Sequence, residues 1–252
     1  MPKVIISVLL LVLSPLSHAD CKSATEKVIK ASNYYPGSYP VNWDTYVECK
    51  VWPADPTKII AALVDPQKAS NADPGADDGH SDLEVLVLEA DSGNILQRLF
   101  KKGALISDAI TLTGIELDTA RYVLAPGVIA FGVRADRHGK YDQDIQDINL
   151  YAIQENKLQQ ILSNLQMREK IVSVNAESNA HDCPSTDISR TLAIAQTSSH
   201  GYADLIVQEK KSVRGEGSKD DCADAKTSTS SRRYVLHFDG SGYALPQELQ
   251  DN

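Results

Sequence analysis

The sequence predicts an all-β protein built of antiparallel meanders, with a short N-terminal helix. Three observations carry that expectation. Apolar residues come in short runs of strand length, separated by turn chemistry. Several runs are joined by residues that tolerate positive φ, such as Asp91-Ser-Gly-Asn94, Glu155-Asn156 and Asp239-Gly-Ser-Gly242. The 252-residue chain is also 42% hydrophobic and 23% charged, which is enough apolar surface for a core and excludes an acidic disordered tail.

Taken in order, residues 1–19 read as a signal peptide. Lys3 supplies the positive start, Val4 to Leu13 the apolar run, and Ser17-His18-Ala19 the small-x-small cleavage pattern. The mature chain is expected to begin at Asp20 and to form a single β-rich domain over 20–252. Asp20 stands where a bacterial lipoprotein needs a small residue before its modified cysteine, so Cys21 reads as unlipidated. Ser23-Ala-Thr-Glu26 resembles a capping box and starts a short helix to about Ala31.

Strands then fall into three meanders, at approximately 47–100, 110–163 and 188–247. The first includes Glu48–Trp52, Lys58–Val64, Leu83–Ala90 and Ile95–Leu99. Asp55-Pro-Thr57 would also start a helix, so the run after it reads either way. The second contains Arg121–Ala125 and Val128–Arg134, joined by Pro126-Gly127, then Ile148–Ile153 and Lys157–Leu162. The third contains Thr191–Ala195 and Ala203–Gln208, joined by Ser198-Ser-His-Gly201, then Arg233–Phe238 and Tyr243–Leu245. Two acidic, turn-rich stretches, 65–82 and 215–231, read as exposed loops.

All four cysteines lie beyond the leader. An even number in an exported chain reads as disulfides, and their spacing favours Cys21–Cys49 and Cys183–Cys222.

Gly201-Tyr-Ala-Asp-Leu-Ile-Val207 and Val235-Leu-His-Phe-Asp-Gly-Ser-Gly-Tyr243 resemble the strand endings of FG-GAP repeats in β-propellers of secreted bacterial proteins. The resemblance implies a propeller-like arrangement rather than a sandwich. The D-x-D-x-D-G calcium loop of those repeats is missing at each hairpin, so the resemblance transfers no functional residue.

Searching for chemistry leaves little. The nearest approach to a nucleophile elbow, Gly79-His-Ser-Asp-Leu83, lacks the second glycine, and phosphate-binding loops and H-E-x-x-H are absent. The carboxylates Asp108, Glu116 and Asp118 lie near strands, where a surface role is the ordinary one. His138, His200 and His237 are scattered and read as exposed. Asp73, Asp77, Asp78 and Asp82 supply hard oxygen donors suited to Ca²⁺, without EF-hand spacing, and no other cofactor is expected. Asp142, Asp144 and Asp147 form a second acidic patch. In the stretch Asn33–Tyr46, Tyr34, Tyr35, Tyr39 and Trp43 mix with Ser, Gly, Asn and Pro. That composition suits a contact surface. The same segment could instead pack across one end of the core, held by Cys49.

With a formal net charge of −9, nucleic acid and anionic membrane surfaces are poor partners. No stretch after the leader approaches the roughly 18 apolar residues of a membrane span. The expectation is therefore a periplasmic or secreted binding protein with a protein partner in the cell envelope, for example an inhibitor or immunity-type protein acting on an envelope enzyme. The alternatives are a polysaccharide-directed hydrolase and a calcium-stabilised structural module.

Overall fold

The computed structural model describes residues 21–32, 46–66, 80–106, 110–139, 143–172, 184–215 and 225–250. Helix α1 (Cys21–Ser32) is followed by strands β1 (Val47–Val51), β2 (Lys58–Pro66), β3 (His80–Glu89) and β4 (Ile95–Ile106). Next come β5 (Ile110–Ala125), β6 (Val128–Gly139), β7 (Asp144–Gln154) and β8 (Lys157–Val172), then β9 (Ser185–Ser199), β10 (Tyr202–Arg214), β11 (Thr227–Leu236) and the one-turn α2 (Gln247–Gln250). Most of the described chain is antiparallel strand, as the alternation and turn chemistry predict. The run after Asp55 is a strand, paired with β1 on one side and β3 on the other. Asp55 itself caps the β1–β2 turn, accepting from the Thr57 amide at 3.2 Å and the Thr57 hydroxyl at 2.6 Å.

Local turn chemistry joins most neighbours. Glu155 and Asn156 (φ 47° and 59°) make the two-residue β7–β8 turn, and His200 with Gly201 (φ 50° and 84°) makes the β9–β10 turn. Both have the left-handed geometry that matches strand twist. Pro126-Gly127, with Gly127 at φ 77°, joins β5 to β6.

The strands form two open sheets, β1-β2-β3-β4 and β11-β10-β9-β8-β7-β6-β5. This revises the propeller-like expectation of three meanders. The stretches 110–163 and 188–247 belong to one sheet, because Arg168–Val172 of β8 pairs with Ser185–Ser189 of β9. Three blades would need each meander to end on a free edge, and five cross-strand pairs here make the second and third continuous.

Packing follows the pleat. One face of β2 and β3 (Ile60, Ala62, Val64, Val85, Val87) meets the β5–β7 part of the large sheet through Leu117, Phe131, Val133 and Tyr151. The other face (Ile59, Ala61, Leu63, Leu86, Leu88) is covered by Ala24, Val28 and Ile29 of α1. The helix is tied to β1 by the Cys21–Cys49 disulfide, with Cα atoms 5.8 Å apart. Bridging a separation of 28 residues, this bond contributes about 3.5 kcal/mol in the chain-entropy account. The helix already includes Cys21, ahead of the expected Ser23 cap, and Thr25 Oγ1 donates back to the Cys21 carbonyl at 2.8 Å.

The two faces of β5 serve two cores. The register shift after Leu112 changes which parity points inward, whereas the one after Asp118 sets four residues against two and preserves it. Leu112, Ile115 and Leu117 therefore join the core between the sheets, whereas Tyr122 and Leu124 join a second core with Ile148, Leu150 and Leu205.

That second core has an unusual closure. Beyond their five shared pairs β8 and β9 are unpaired with each other, and the C-terminal segment fills the opening. The Tyr243 amide donates to the Ile161 carbonyl of β8 at 2.7 Å, and the Tyr243 hydroxyl donates to the Ala203 carbonyl of β10 at 2.6 Å. Gly242 passes so close to β8 that a Cβ there would lie 2.9 Å from the Ile161 carbonyl oxygen, which explains glycine at this position. Instead of a third hairpin, Phe238 and Tyr243 form an isolated bridge.

Residues 1–19, the aromatic residues Tyr34, Tyr35, Tyr39 and Trp43, and the cysteines Cys183 and Cys222 lie outside the described residues. The described strand ends still bear on the second disulfide. Ser185 at the start of β9 pairs with Arg214 at the end of β10, and Arg214 pairs with Thr227 at the start of β11. Ser185, Arg214 and Thr227 thus stand side by side at one end of the sheet, two residues after Cys183 and either side of Cys222 in sequence. Non-reducing peptide mapping is expected to return Cys183 linked to Cys222; a peptide joining either to Cys21 or Cys49 would contradict this.

Candidate functional site

The acidic residues proposed for calcium are divided by the structure. Asp73, Asp77 and Asp78 lie outside the described residues. Asp82 sits at the irregularity between Ser81 and Leu83 of β3, where its Oδ1 accepts the Gly103 amide of β4 at 2.6 Å. It serves the β3–β4 pairing there. Among the described residues, no group of three or more His, Cys, Asp or Glu is placed to hold a metal ion.

Histidines that looked scattered in the sequence partly converge. His237, just past β11, lies with Nδ1 3.2 Å from Asp204 Oδ1 and 3.3 Å from Ser199 Oγ. His200 Nδ1 donates to the Phe238 carbonyl at 2.8 Å. Ser, His and Asp thus meet at one end of the β9–β11 hairpins, which sequence spacing could not show. The geometry is that of a clasp. A nucleophilic relay needs the carboxylate on one ring nitrogen and the serine on the other, and here both face Nδ1. Asp204 is buried, which pushes its carboxyl up, but hydrogen bonds from Thr197, Ser199 and His237 outweigh burial and hold it below the usual range. Nearby, Asp239 accepts the Ser241 and Gly242 amides and the Ser241 hydroxyl, which hold it at about 2. These groups fasten the C-terminal turn to the sheet.

A second polar region runs across β5 to β9. Asp118 accepts from Arg134 Nη2 at 2.6 Å and from the Tyr122 hydroxyl at 3.0 Å. Burial pushes this carboxyl up, but the Ala120 amide, Arg134 and Tyr122 prevail and hold it below its ordinary value. Arg134 also reaches Gln146, which donates to Asp136, which in turn faces Arg168 at 3.5 Å. Asp147 pairs with Arg137, and Asp144 with His138 at 2.7 Å. A groove of about 460 Å³ follows this ladder, with Asp136, Asp144, Arg168, Lys170 and Asp187 on its walls. Charges of both signs alternate along it, so the ladder is largely self-neutralising. Asp108 and Asp142 lie outside the described residues.

Glu116 is exposed on β5, across from Glu48 of β1. Burial pushes the half-buried Glu48 carboxyl above its usual range; Lys50 opposes that and Glu116 adds to it. The shift is in the direction a general acid needs.

The most conspicuous surface feature lies on β4, which the sequence reading treated only as the second arm of a hairpin. This strand is an outer strand of the four-stranded sheet, and Ile95, Leu96 and Phe100 are 42%, 43% and 49% exposed. Pairing with β3 sets Ile95, Arg98 and Phe100 on the α1 side of the sheet, opposite Leu88, Leu86 and Glu84. Leu99 and Gln97 point to the inter-sheet side, where Gln97 accepts the Leu158 amide at 3.2 Å. Arg98 pairs with Glu84, a fully buried carboxylate of β3. The strand contains three cations and no carboxylate, in a chain of net charge −9. Its signal was present in the sequence as Leu96 and Phe100 at the same parity beside Lys101-Lys102. Exposure could not be read there, because it depends on where α1 stops covering the sheet.

No described helix is long and apolar enough to cross a membrane. Compared with family models, with curated proteins and with solved structures, the chain matches none.

Proposed function

We propose that this chain is an exported binding protein that engages a protein partner of the cell envelope, in the manner of an inhibitor or immunity-type protein. One observation carries the reading: an apolar patch of Ile95, Leu96 and Phe100 left exposed on a sheet edge whose charged residues are all cationic. Isolated exposed apolar residues are ordinary, but three on one strand within six positions form a patch of the kind that marks interaction sites. The Cys21–Cys49 disulfide supports an oxidising compartment, and the leader-like first 19 residues support export.

The test is capture of a partner from envelope extract by the protein and by its Leu96→Ser, Phe100→Ser variant. Anchors of this kind are worth about 2 kcal/mol or more each at an interface, so capture should fall at least about 30-fold. Melting should move little, because both side chains are already exposed. Unchanged capture by the variant would refute the reading.

The raised pKa of Glu48 beside Glu116 favours a second reading, a hydrolase of envelope polysaccharide. In that case Glu48→Gln should abolish turnover of peptidoglycan or another envelope glycan, with the melting temperature retained.

A further inference from the structure

Resting on that reading, we infer the form in which the partner arrives: an extended acidic segment that adds along β4 as a fifth strand of the small sheet. The four outer strands differ in ways that bear on this. β1 has only five residues, and both β1 and β4 touch the large sheet, through Lys50 to the Leu117 carbonyl at 3.4 Å and through Gln97 to the Leu158 amide at 3.2 Å. β5 departs from regular register with β6 in three places, which twists its edge. β11 presents Thr227 to Arg233, all exposed and all polar. Short length, irregularity and a polar edge are the devices by which proteins discourage strand addition. β4 has 12 residues and places apolar side chains at its exposed edge. An incoming strand would gain main-chain hydrogen bonds there and set its side chains beside Ile95, Leu96 and Phe100.

Charge selects among such strands. Lys101 and Lys102 are both exposed on this strand, so an incoming strand with carboxylates meets cations, whereas a lysine-bearing strand meets repulsion. Basic residues on an edge can also serve as guards against self-pairing. The two roles predict different results on charge reversal. A guard that is reversed to glutamate still repels copies of itself and changes no peptide preference; a recognition element exchanges its preference.

The experiment titrates the purified protein with three ten-residue peptides and follows amide resonances and affinity. The first alternates threonine or valine with glutamate; the second carries lysine in place of glutamate; the third is the acidic peptide with alternate backbone nitrogens methylated, which removes its capacity to pair as a strand. The expected result is that the acidic peptide shifts β4 amides, that the lysine peptide binds at least tenfold more weakly, and that methylation costs at least tenfold. The Lys101→Glu, Lys102→Glu variant, with unaltered melting, should prefer the lysine peptide. Equal binding of the methylated peptide, equal binding of the lysine peptide, shifts away from β4, or no binding at all would each overturn strand addition. If these fail while Leu96→Ser, Phe100→Ser still abolishes partner capture, the binding surface stands without strand addition. If capture also survives that variant, both readings fall.

Discussion

Replacing Glu209 by alanine is expected to destabilise the protein by about 3–5 kcal/mol, the usual consequence of removing one partner from a buried ion pair. Arg190 of β9 is almost wholly buried, its side chain 1% exposed. Its Nε donates to Glu209 Oε2 of β10 at 2.9 Å and its Nη2 lies 2.7 Å from the same oxygen, while Nη1 donates to the Gln166 carbonyl of β8 at 2.8 Å. The guanidinium therefore stands where β8 and β9 begin to part, and binds three strands at that point. Without the carboxylate its charge would remain out of water and lose this ionic partner. For a domain of this length each kcal/mol is worth about 2–4 °C, so thermal unfolding should shift down by roughly 6–20 °C. Replacing Arg190 by Met and Glu209 by Leu together should cost much less, since no orphaned charge is left. If the single variant melts within about 2 °C of the parent, the pair contributes nothing of consequence to the joint.

Phe131→Ala should have a comparable effect for a different reason. Phe131 of β6 is fully buried between the sheets, its ring 5.7 Å from that of Trp52, edge-on at 72°, and 5.9 Å from that of Tyr151, stacked at 27°. Truncation removes both contacts and leaves a cavity at the centre of the inter-sheet core, a loss of about 3–5 kcal/mol. Phe100→Ala, on an exposed edge, should stay within about 0.5 kcal/mol, the range of ordinary surface substitutions. Chemical denaturation of the two variants side by side checks both statements. Equal losses would mean that Phe100 is packed and that β4 offers no free apolar surface.

Much of the local structure was legible along the chain. Glu155-Asn156, Pro126-Gly127 and His200-Gly201 mark real turns, because positive φ and proline act within two residues and need nothing distant. The nearness of Cys21 to Cys49 was legible as well, and the bond ties α1 to β1. The site was far less legible. Ser199, Asp204 and His237 meet through strand pairing between β9, β10 and the end of β11, and Glu48 meets Glu116 through the approach of two different sheets. The aromatic stretch at 33–45 and the acidic residues Asp73, Asp77 and Asp78 lie outside the described residues, so those expectations stand as sequence readings alone.

The chain by itself determined that this protein is made of strands, where most of its turns fall and which cysteine partners α1, since each of these depends on period, φ preference or short separation. Only the tertiary structure decided how many sheets there are, which strands end them and which apolar residues stay uncovered. Five pairs between β8 and β9 make two expected meanders into one sheet, the two faces of β5 serve different cores, and the span of α1 leaves Leu96 and Phe100 outside. These outcomes depend on registers between residues far apart in sequence. A shift of one residue in any of them exchanges the buried face for the exposed one, so no pattern local to β4 could announce that its apolar residues would face outward.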